Sequence, residues 1–293
     1  MTAVATAPAG QSHRGRTLVY LFVIAFALAW LFPVLWAILN SFRDYGYTSQ
    51  NGYVSLGGWT LANYQDAWKR GNFGLYLSNS AIVTLPAVIA SLFLASCVGF
   101  VLARFRYRWN LTLLGLFTAA NLLPPQALLI PVYRIFREIP MPYAISTSGS
   151  LLNSFLGLIL VNTAFQTGFC TFVLSNYMKS LPKELYEAAD VDGASVFRQF
   201  WQITLPLSRP PLAALAVLEV TWIYNEFFWA TVLLQDSSMF PVTSSLNNLR
   251  GQFFTDNNLV AAASVIVAMP TLVVFFVLRR QFVAGLTLGA TKG

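Results

Sequence analysis

Two acidic residues in an otherwise apolar stretch are the strongest candidates for chemistry. Glu219 and Glu226 are seven residues apart in the segment 210–234, which carries no other charge. Seven residues make about two helical turns, so the spacing predicts both carboxyls on nearly one face of a helix. Such a pair could carry protons or act as general acid and base. Because a charge at a helix centre opposes insertion by about 3 kcal/mol, we expect both acids to face a cavity or a protein partner.

Groups suited to metal or redox chemistry are few. The chain has one histidine, His13, and two cysteines, Cys97 and Cys170, both within apolar runs. Cysteines in such runs usually pack as small apolar side chains, and a single histidine cannot complete the common metal-ligand sets. We therefore expect no metal site and no disulfide framework. Two acids without an intramembrane histidine also offer little chemistry, so no catalytic site is expected.

The composition predicts the elements that position these acids. Of 293 residues, 56% are hydrophobic and 10% charged, against about 25% charged in soluble domains, and the mean hydropathy is +0.60. Long uncharged stretches indicate membrane spans. We predict an all-α polytopic membrane protein, with a six-helix domain over residues 17–284 and tails at 1–16 and 285–293. The predicted spans are about 17–39, 79–103, 110–135, 151–178, 208–234 and 259–279.

The basic residues predict the orientation. Cytoplasmic loops carry an excess of Lys and Arg. With both termini in the cytoplasm, 12 of the 18 basic residues lie on the cytoplasmic side. The net charge of +7 then follows from membrane topology, and no nucleic-acid partner is expected. The six basic residues on the outer side would be Arg43, Lys69, Arg70, Arg134, Arg137 and Arg250.

The loop 179–209 is long enough to have a structure of its own. Glu184 and Glu187 favour the first turns of a short helix, and Gly193 suits a hinge or a C-terminal cap. A second helix is predicted from about Ala194 to Thr204, before a proline. Taken alone, the composition fits a helical hairpin on the membrane surface.

The spacing within this loop resembles the EAA motif of the membrane subunits of ABC importers. Glu187-Ala188-Ala189 is followed after three residues by Gly193, and after nine more by Ile203-Thr204-Leu205-Pro206. The chain also resembles the maltose-type carbohydrate importers, in their MalG-like half, over most of its length. The matching segments are Asn63-Tyr64, Asn79-Ser80, Ala103-Arg104, Pro124, Pro131, Asn225-Glu226-Phe227 and the tail 285–293.

The resemblance implies a type I ABC importer permease fold with a cytoplasmic coupling helix. It implies import of a mono- or oligosaccharide across a bacterial or archaeal cytoplasmic membrane. The implied partners are a second permease subunit, a cytoplasmic ATPase dimer, an extracytoplasmic solute-binding protein and lipid. The sequence has no G-x-x-x-x-G-K-[ST] phosphate loop, so ATP and Mg²⁺ are expected on the ATPase, and this chain is expected not to be an enzyme.

The resemblance also assigns site residues. Glu187 is the expected polar contact to the ATPase, within a docking surface that adds Ala188, Ala189, Asp192, Gly193 and Ala194. The tail residues Gly289, Lys292 and Gly293 are expected at the ATPase interface. The outer loop 235–258 is expected to reach the binding protein through Asn247, Asn248, Arg250 and Gln252.

The intramembrane polar residues leave alternatives open. Asn225 and Glu226 match the family pattern, and Glu226 could serve polar packing or line the sugar path. Glu219 departs from that pattern and could be protonated, bonded to the partner permease or facing the path. A proton-coupled secondary transporter using Glu219 and Glu226, or a membrane enzyme using them as acid and base, are the alternative functions. The sequence does not name the sugar.

Overall fold

The computed structural model describes residues 13–249 and 255–287, and these residues are mainly helical. They contain no extended strand, only isolated bridges between Arg43 and Trp59 and between Pro140 and Ser150. The α-helices are α1 His13–Ser41, α2 Tyr45–Asn51, α3 Ala62–Arg70, α4 Phe73–Arg104, α5 Asn110–Leu122, α6 Leu129–Glu138, α7 Phe155–Lys179, α8 Glu184–Val191, α9 Val196–Gln199, α10 Leu205–Leu207, α11 Arg209–Tyr224, α12 Phe228–Leu233, α13 Val242–Ser245 and α14 Asn257–Thr287. A π turn covers Phe200–Thr204, and 3₁₀ turns cover Pro125–Leu128, Ser237–Met239 and Leu246–Leu249.

Four of these helices are long and apolar enough to cross a membrane. The spans are Arg16–Ser41, Phe73–Arg104, Phe155–Lys179 and Asn257–Arg279. Two bent helix pairs raise the number to six if each pair is one span. The predicted all-α polytopic architecture is therefore confirmed.

The predicted single helix over 110–135 is wrong. Helix α5 ends at Leu122, and the segment Pro125–Glu138 leaves it at an angle of 97°. Pro124 and Pro125 cause this break, because neither residue has an N–H to continue the helical hydrogen bonding. Hydropathy reports the apolar length of this segment but not its bend.

The predicted helix over 208–234 is also wrong. Helix α11 ends at Tyr224, and a separate helix α12 begins at Phe228. The amide of Glu226 donates to the carbonyl of Ile223, three residues back, which tightens the last turn and ends the α-helical pattern. At its other end, α11 meets the segment Val196–Leu207 at 72°.

Helix α4 lies at the centre of the bundle and packs against α7 and α11. Ser91 and Ala95 on α4 are fully buried. A Cβ added at Gly99 would lie 3.2 Å from the backbone nitrogen of Ser175, so a small residue allows the close approach of α4 and α7.

Helix α1 lies at the edge of this bundle, against α14. In the most apolar stretch of 18 residues of α1, no residue is buried by the rest of the chain. Its C-terminal end is fixed, because Asn258 at the start of α14 donates to the carbonyl of Asn40 at 3.0 Å. An apolar helix with this exposure must face lipid or another membrane subunit.

Candidate coupling hairpin and intramembrane polar site

The connection between α7 and α11, residues 180–208, forms a helical hairpin with its turn at Gly193. Helix α8 has Glu184 and Glu187 in its first turn, where acidic groups stabilise the helix dipole. Gly193 has φ +70°, the Gly193 amide donates to Asp190, and the Ala194 amide donates to Ala189 at 2.9 Å. These bonds form a Schellman cap, which needs a left-handed residue. The predicted role of Gly193 as a cap is confirmed.

The second arm of the hairpin begins at Val196 and continues past Pro206. The Ser195 hydroxyl accepts a hydrogen bond from the Arg198 amide at 3.3 Å and caps this arm. The predicted end at Thr204 is wrong, because α10 runs to Leu207. The Leu205 amide donates to the carbonyl of Phe200, five residues back. This wider turn makes room for a proline that lacks an N–H.

Hydrogen bonds among three polar side chains attach the hairpin to the end of α4. The three are Arg104, Asp190 and Gln199, called the Arg104 triad below. Arg104 Nη2 donates to Asp190 Oδ2 at 2.6 Å, and Arg104 Nε donates to Gln199 Oε1 at 3.3 Å. Gln199 Nε2 donates to Asp190 Oδ1 at 2.7 Å and to the carbonyl of Ala194 at 3.1 Å. Gln199 is only 1% exposed, so its amide depends on these partners. The triad therefore links both arms of the hairpin to one membrane helix.

Buried aromatic residues support the same attachment. Tyr186 packs near Phe100, and Phe100 in turn packs against Phe200, with ring centroids 6.5 and 5.4 Å apart. The Tyr186 hydroxyl shares a hydrogen bond of 3.0 Å with the Thr204 hydroxyl. The Arg104 guanidinium lies 5.2 Å from the centre of the Tyr186 ring. The hairpin is thus packed onto α4 as well as hydrogen-bonded to it.

Most of the predicted docking residues lie on the free surface of the hairpin. The exposed ones are Glu187, Ala188, Asp192 and Gly193, and Ala194 is half-buried. Ala189 is 7% exposed and packs inside the hairpin, so it does not contribute to the exposed surface. It lies three residues after Tyr186, and this helical spacing could have placed both on the buried face.

Two exposed apolar side chains on the hairpin were not predicted as part of this surface. Val191 is 87% exposed and Phe197 is 72% exposed. They lie on either side of the Gly193 turn, one on each arm. Large apolar side chains outside the spans are a signal for a protein contact, and that signal is present in the sequence.

Glu219 lies in the interior of the chain. It is 0% exposed, its Oε1 accepts a hydrogen bond from the Cys170 thiol at 3.1 Å, and its Oε2 has no partner among the described residues. The sequence predicts that Glu219 faces a cavity or a protein partner. In the structure its carboxyl lies in the protein interior, and its hydrogen-bond partner comes from α7 of the same chain. The described residues also contain no group of three His, Cys, Asp or Glu side chains that could hold a metal ion.

Glu226 occupies a different element from Glu219. Its carboxylate accepts from the amides of Trp229 at 2.8 Å and Ala230 at 3.2 Å, and so caps helix α12. The predicted common helix face of the two acids is therefore wrong. Glu226 borders a cavity of about 10 Å³, which has room for about one water molecule and not for a sugar. Asn225, beside it, is exposed and donates to the carbonyl of Thr221 at 2.7 Å.

The beginning of the predicted outer loop is held by α4 and by the segment before α7. Asn79 donates to the carbonyls of Ser238 and Phe240, and the Ser80 hydroxyl accepts from the amide of Val242. Asn153 Oδ1 accepts from the amides of residues 235 and 236. The backbone N–H of Ser238 donates to Asp236 at 2.9 Å and lowers the pKa of that carboxyl. These contacts explain the polar residues at 79–80, which the sequence showed only as a resemblance.

Several predicted residues fall outside this description. Asn247 and Asn248 lie in the 3₁₀ turn Leu246–Leu249, but their side chains are not described. Arg250 and Gln252 lie outside the described residues, as do the tail residues Gly289, Lys292 and Gly293.

Comparison with known proteins identifies relatives along nearly the whole chain. The permease protein NgcG of the diacetylchitobiose uptake system of Streptomyces coelicolor is 28% identical, over 99% of this chain and 93% of the relative. The permease protein AraQ of the arabinooligosaccharides transport system of Halalkalibacterium halodurans is 30% identical, over 90% of this chain and 91% of the relative.

A solved structure supports the fold. It is a bacterial ABC transporter involved in the import of the acidic polysaccharide alginate, with a TM-score of 0.77 and 22% identity. The match covers 94% of this chain and 100% of that chain. Residues 87–287 match the family described as binding-protein-dependent transport system inner membrane component. The chain therefore belongs to this family of multi-pass membrane permease subunits of ABC importers.

Proposed function

We propose that this chain is the MalG-like permease subunit of an ATP-driven importer for a mono- or oligosaccharide. The observation that carries the proposal is a hairpin whose inner face is fixed to α4, while its tip, the turn over residues 191–197, is mostly exposed. Family membership gives this arrangement a transport role, and the names of two nearly full-length relatives favour a carbohydrate. These two relatives are named for different sugars, so they support the class and not one compound.

The hairpin tip is the proposed docking surface for a separate ATPase. At the tip, Val191 and Phe197 supply apolar contact area and Asp192 supplies an acidic group; Glu187, in the first turn of α8, is the second proposed acidic contact. ATP and Mg²⁺ are assigned to that ATPase, since this chain has no phosphate-binding loop. Movement of the docked tip would reach the membrane through Arg104, since the triad is the polar link to α4.

Two further partners complete the proposed assembly. The exposure of α1 along its apolar window favours a second permease subunit that covers it in a heterodimer. The outer loop, held at its start by Asn79 and Asn153, is placed to meet an extracytoplasmic binding protein. The distribution of basic residues favours cytoplasmic N- and C-termini.

A proton-carrying role receives little support from the two acids. Glu219 is 0% exposed, so it is not open to bulk water in this conformation. Both oxygens of Glu226 already accept backbone hydrogen bonds. Glu219 lies on α11, whereas Glu226 lies in the break before α12, so the two acids do not form the paired helix face that the alternative function requires.

The docking proposal can be tested with the double variant Val191→Ser/Phe197→Ser. Full burial of each apolar side chain contributes roughly 1.5 to 3 kcal/mol, so we expect ATPase binding to weaken at least about tenfold. The measurement is co-purification of the ATPase from native membranes, followed by ATP-dependent uptake in proteoliposomes.

A matched control is Val54→Ser/Leu56→Ser. These side chains are 82% and 71% exposed but lie in the segment between α2 and α3, far along the chain from the hairpin. This control should leave the ATPase bound. Equal ATPase recovery with both double variants would contradict the proposal.

A further inference from the structure

A wide cavity opens where α4, α5, α7 and the hairpin meet. Its volume is about 730 Å³. It is bounded by the end of α4 with the following loop, the first residue of α5, the end of α7 and the first turn of the hairpin. It therefore lies at the end of two membrane spans and not within the transport bundle.

The rim of this cavity is strongly basic. Arg104, Arg106, Lys179 and Lys183 line it, and Glu187 is the only acid among the lining residues. Among the described residues, Arg104 is the one lining cation that forms an ion pair, with a carboxylate of the hairpin at 2.6 Å. The other three cations form no ion pair within the part of the chain that the structure describes. Like charges gathered around one cavity repel each other, and an anion bound between them relieves that repulsion.

The floor of the cavity is apolar. Leu102, Ala103, Met178 and Leu181 line it, and Met178 is only 2% exposed. A free phosphate or sulfate ion would gain nothing from this floor. A molecule with an anionic head and an apolar body would satisfy both the rim and the floor.

The cavity also lies at the depth of lipid headgroups. Spans α4 and α7 end at Arg104 and Lys179, two of the four basic residues at the rim. Trp109 directly precedes the lining residue Asn110, is 55% exposed and is of a residue type that favours the membrane interface. Basic pockets between membrane helices at this level suit anionic lipid headgroups.

We propose that this cavity binds one anionic phospholipid, with its phosphate between Arg106, Lys179 and Lys183. The glycerol and the first acyl carbons lie on the apolar floor. A lipid bound there contacts α4, α7 and the first turn of the hairpin at the same time. It therefore stabilises the position of the coupling hairpin relative to the bilayer. Arg104 lines the cavity but is already paired with Asp190 and Gln199, so the phosphate is assigned to the other three cations.

The test measures lipid retention by the whole transporter. The complex is purified in mild detergent, and native mass spectrometry counts the anionic phospholipids retained per copy of this chain. We expect one for the wild type, and we expect the triple variant Arg106→Gln/Lys179→Gln/Lys183→Gln to lose it. In a titration of the delipidated complex with dihexanoyl phosphatidylglycerol, each removed charge should weaken binding about fivefold.

Arg108→Gln is the matched control. Arg108 is two residues from Arg106 but stacks on Trp109 at 4.9 Å and does not line the cavity. It should bind the lipid within twofold of the wild type. An equal loss in Arg108→Gln and in the triple variant would overturn the proposal, because the effect would then come from total charge. If the triple variant does not assemble, Lys179→Gln and Lys183→Gln are measured singly against the same control.

Two further experiments distinguish a bound lipid from a free anion and from an acidic contact on the ATPase. Inorganic phosphate at the same concentrations should not displace the lipid, and displacement at an equal midpoint would assign the cavity to a free anion. The complex is also measured with and without its ATPase. Lipid that binds only after the ATPase is removed would assign the basic rim to the ATPase interface and overturn the lipid site.

Discussion

Replacing Gly193 with Ala should loosen the turn of the coupling hairpin through the backbone alone. Gly193 has φ +70°, and a Cβ at this position would meet no atom within 4 Å. A side chain therefore has space but not a favourable conformation. A non-glycine residue in the left-handed region costs about 1 to 2 kcal/mol. This cost falls on the hydrogen bond from the Ala194 amide to the carbonyl of Ala189, at 2.9 Å.

Hydrogen exchange at the Ala194 amide measures this cost. If the free energy of opening the turn falls by about 1 to 2 kcal/mol, the amide should exchange roughly 5- to 30-fold faster, after correction for the intrinsic exchange rate. Gly193→Asn should recover much of the protection, because asparagine tolerates the left-handed conformation better than alanine. The same experiment should show no faster exchange in the hairpin for Gly115→Ala, since Gly115 lies within α5 and also has open space around it. Unchanged exchange in Gly193→Ala, or equal exchange in the Ala and Asn variants, would refute the reasoning.

Three further substitutions test the other contacts. Gln199→Ala removes three hydrogen bonds of about 1 kcal/mol each. The backbone amides of the hairpin should therefore exchange faster, while those of α1 should not. Unchanged exchange in the hairpin would contradict the anchoring role of Gln199. Glu219→Gln should keep assembly and ATP-dependent uptake, because a neutral amide fits the same buried space, whereas intact assembly with lost uptake would point to a proton carrier. Glu226→Ala removes the cap of α12, which stabilises the helix by about 1 kcal/mol. The Trp229 amide should then exchange about fivefold faster. An unchanged rate would mean that the carboxylate does not cap this helix.

Much of the membrane architecture was predictable from the sequence because apolar length is a local property. The six apolar segments, the hairpin between the fourth and fifth segments and the cap at Gly193 all follow from local patterns. The bend at Pro124 was less accessible, since proline is tolerated in some membrane helices and breaks others. Here the following Pro125 removes a second N–H, and the helix ends.

The contacts that hold the site depend on distant parts of the chain. Arg104 and Asp190 are 86 residues apart, and no helical or strand spacing relates them. The capping by Glu226 was missed because its residue type suggested a buried charge, whereas its backbone neighbours determine its role. Ala189 was placed on the docking surface by resemblance, although its spacing from Tyr186 favours the buried face.

The most direct measurement is a photo-crosslink from the tip of the hairpin in the assembled transporter. A benzophenone amino acid replaces Phe197, which is 72% exposed, and another replaces Val54 as the control. After irradiation in native membranes, mass spectrometry identifies the linked polypeptides. The account predicts a crosslink from position 197 to a nucleotide-binding ATPase and none to it from position 54. Crosslinks from position 197 to lipid alone, with the ATPase present in the same complex, would contradict the coupling role of the hairpin.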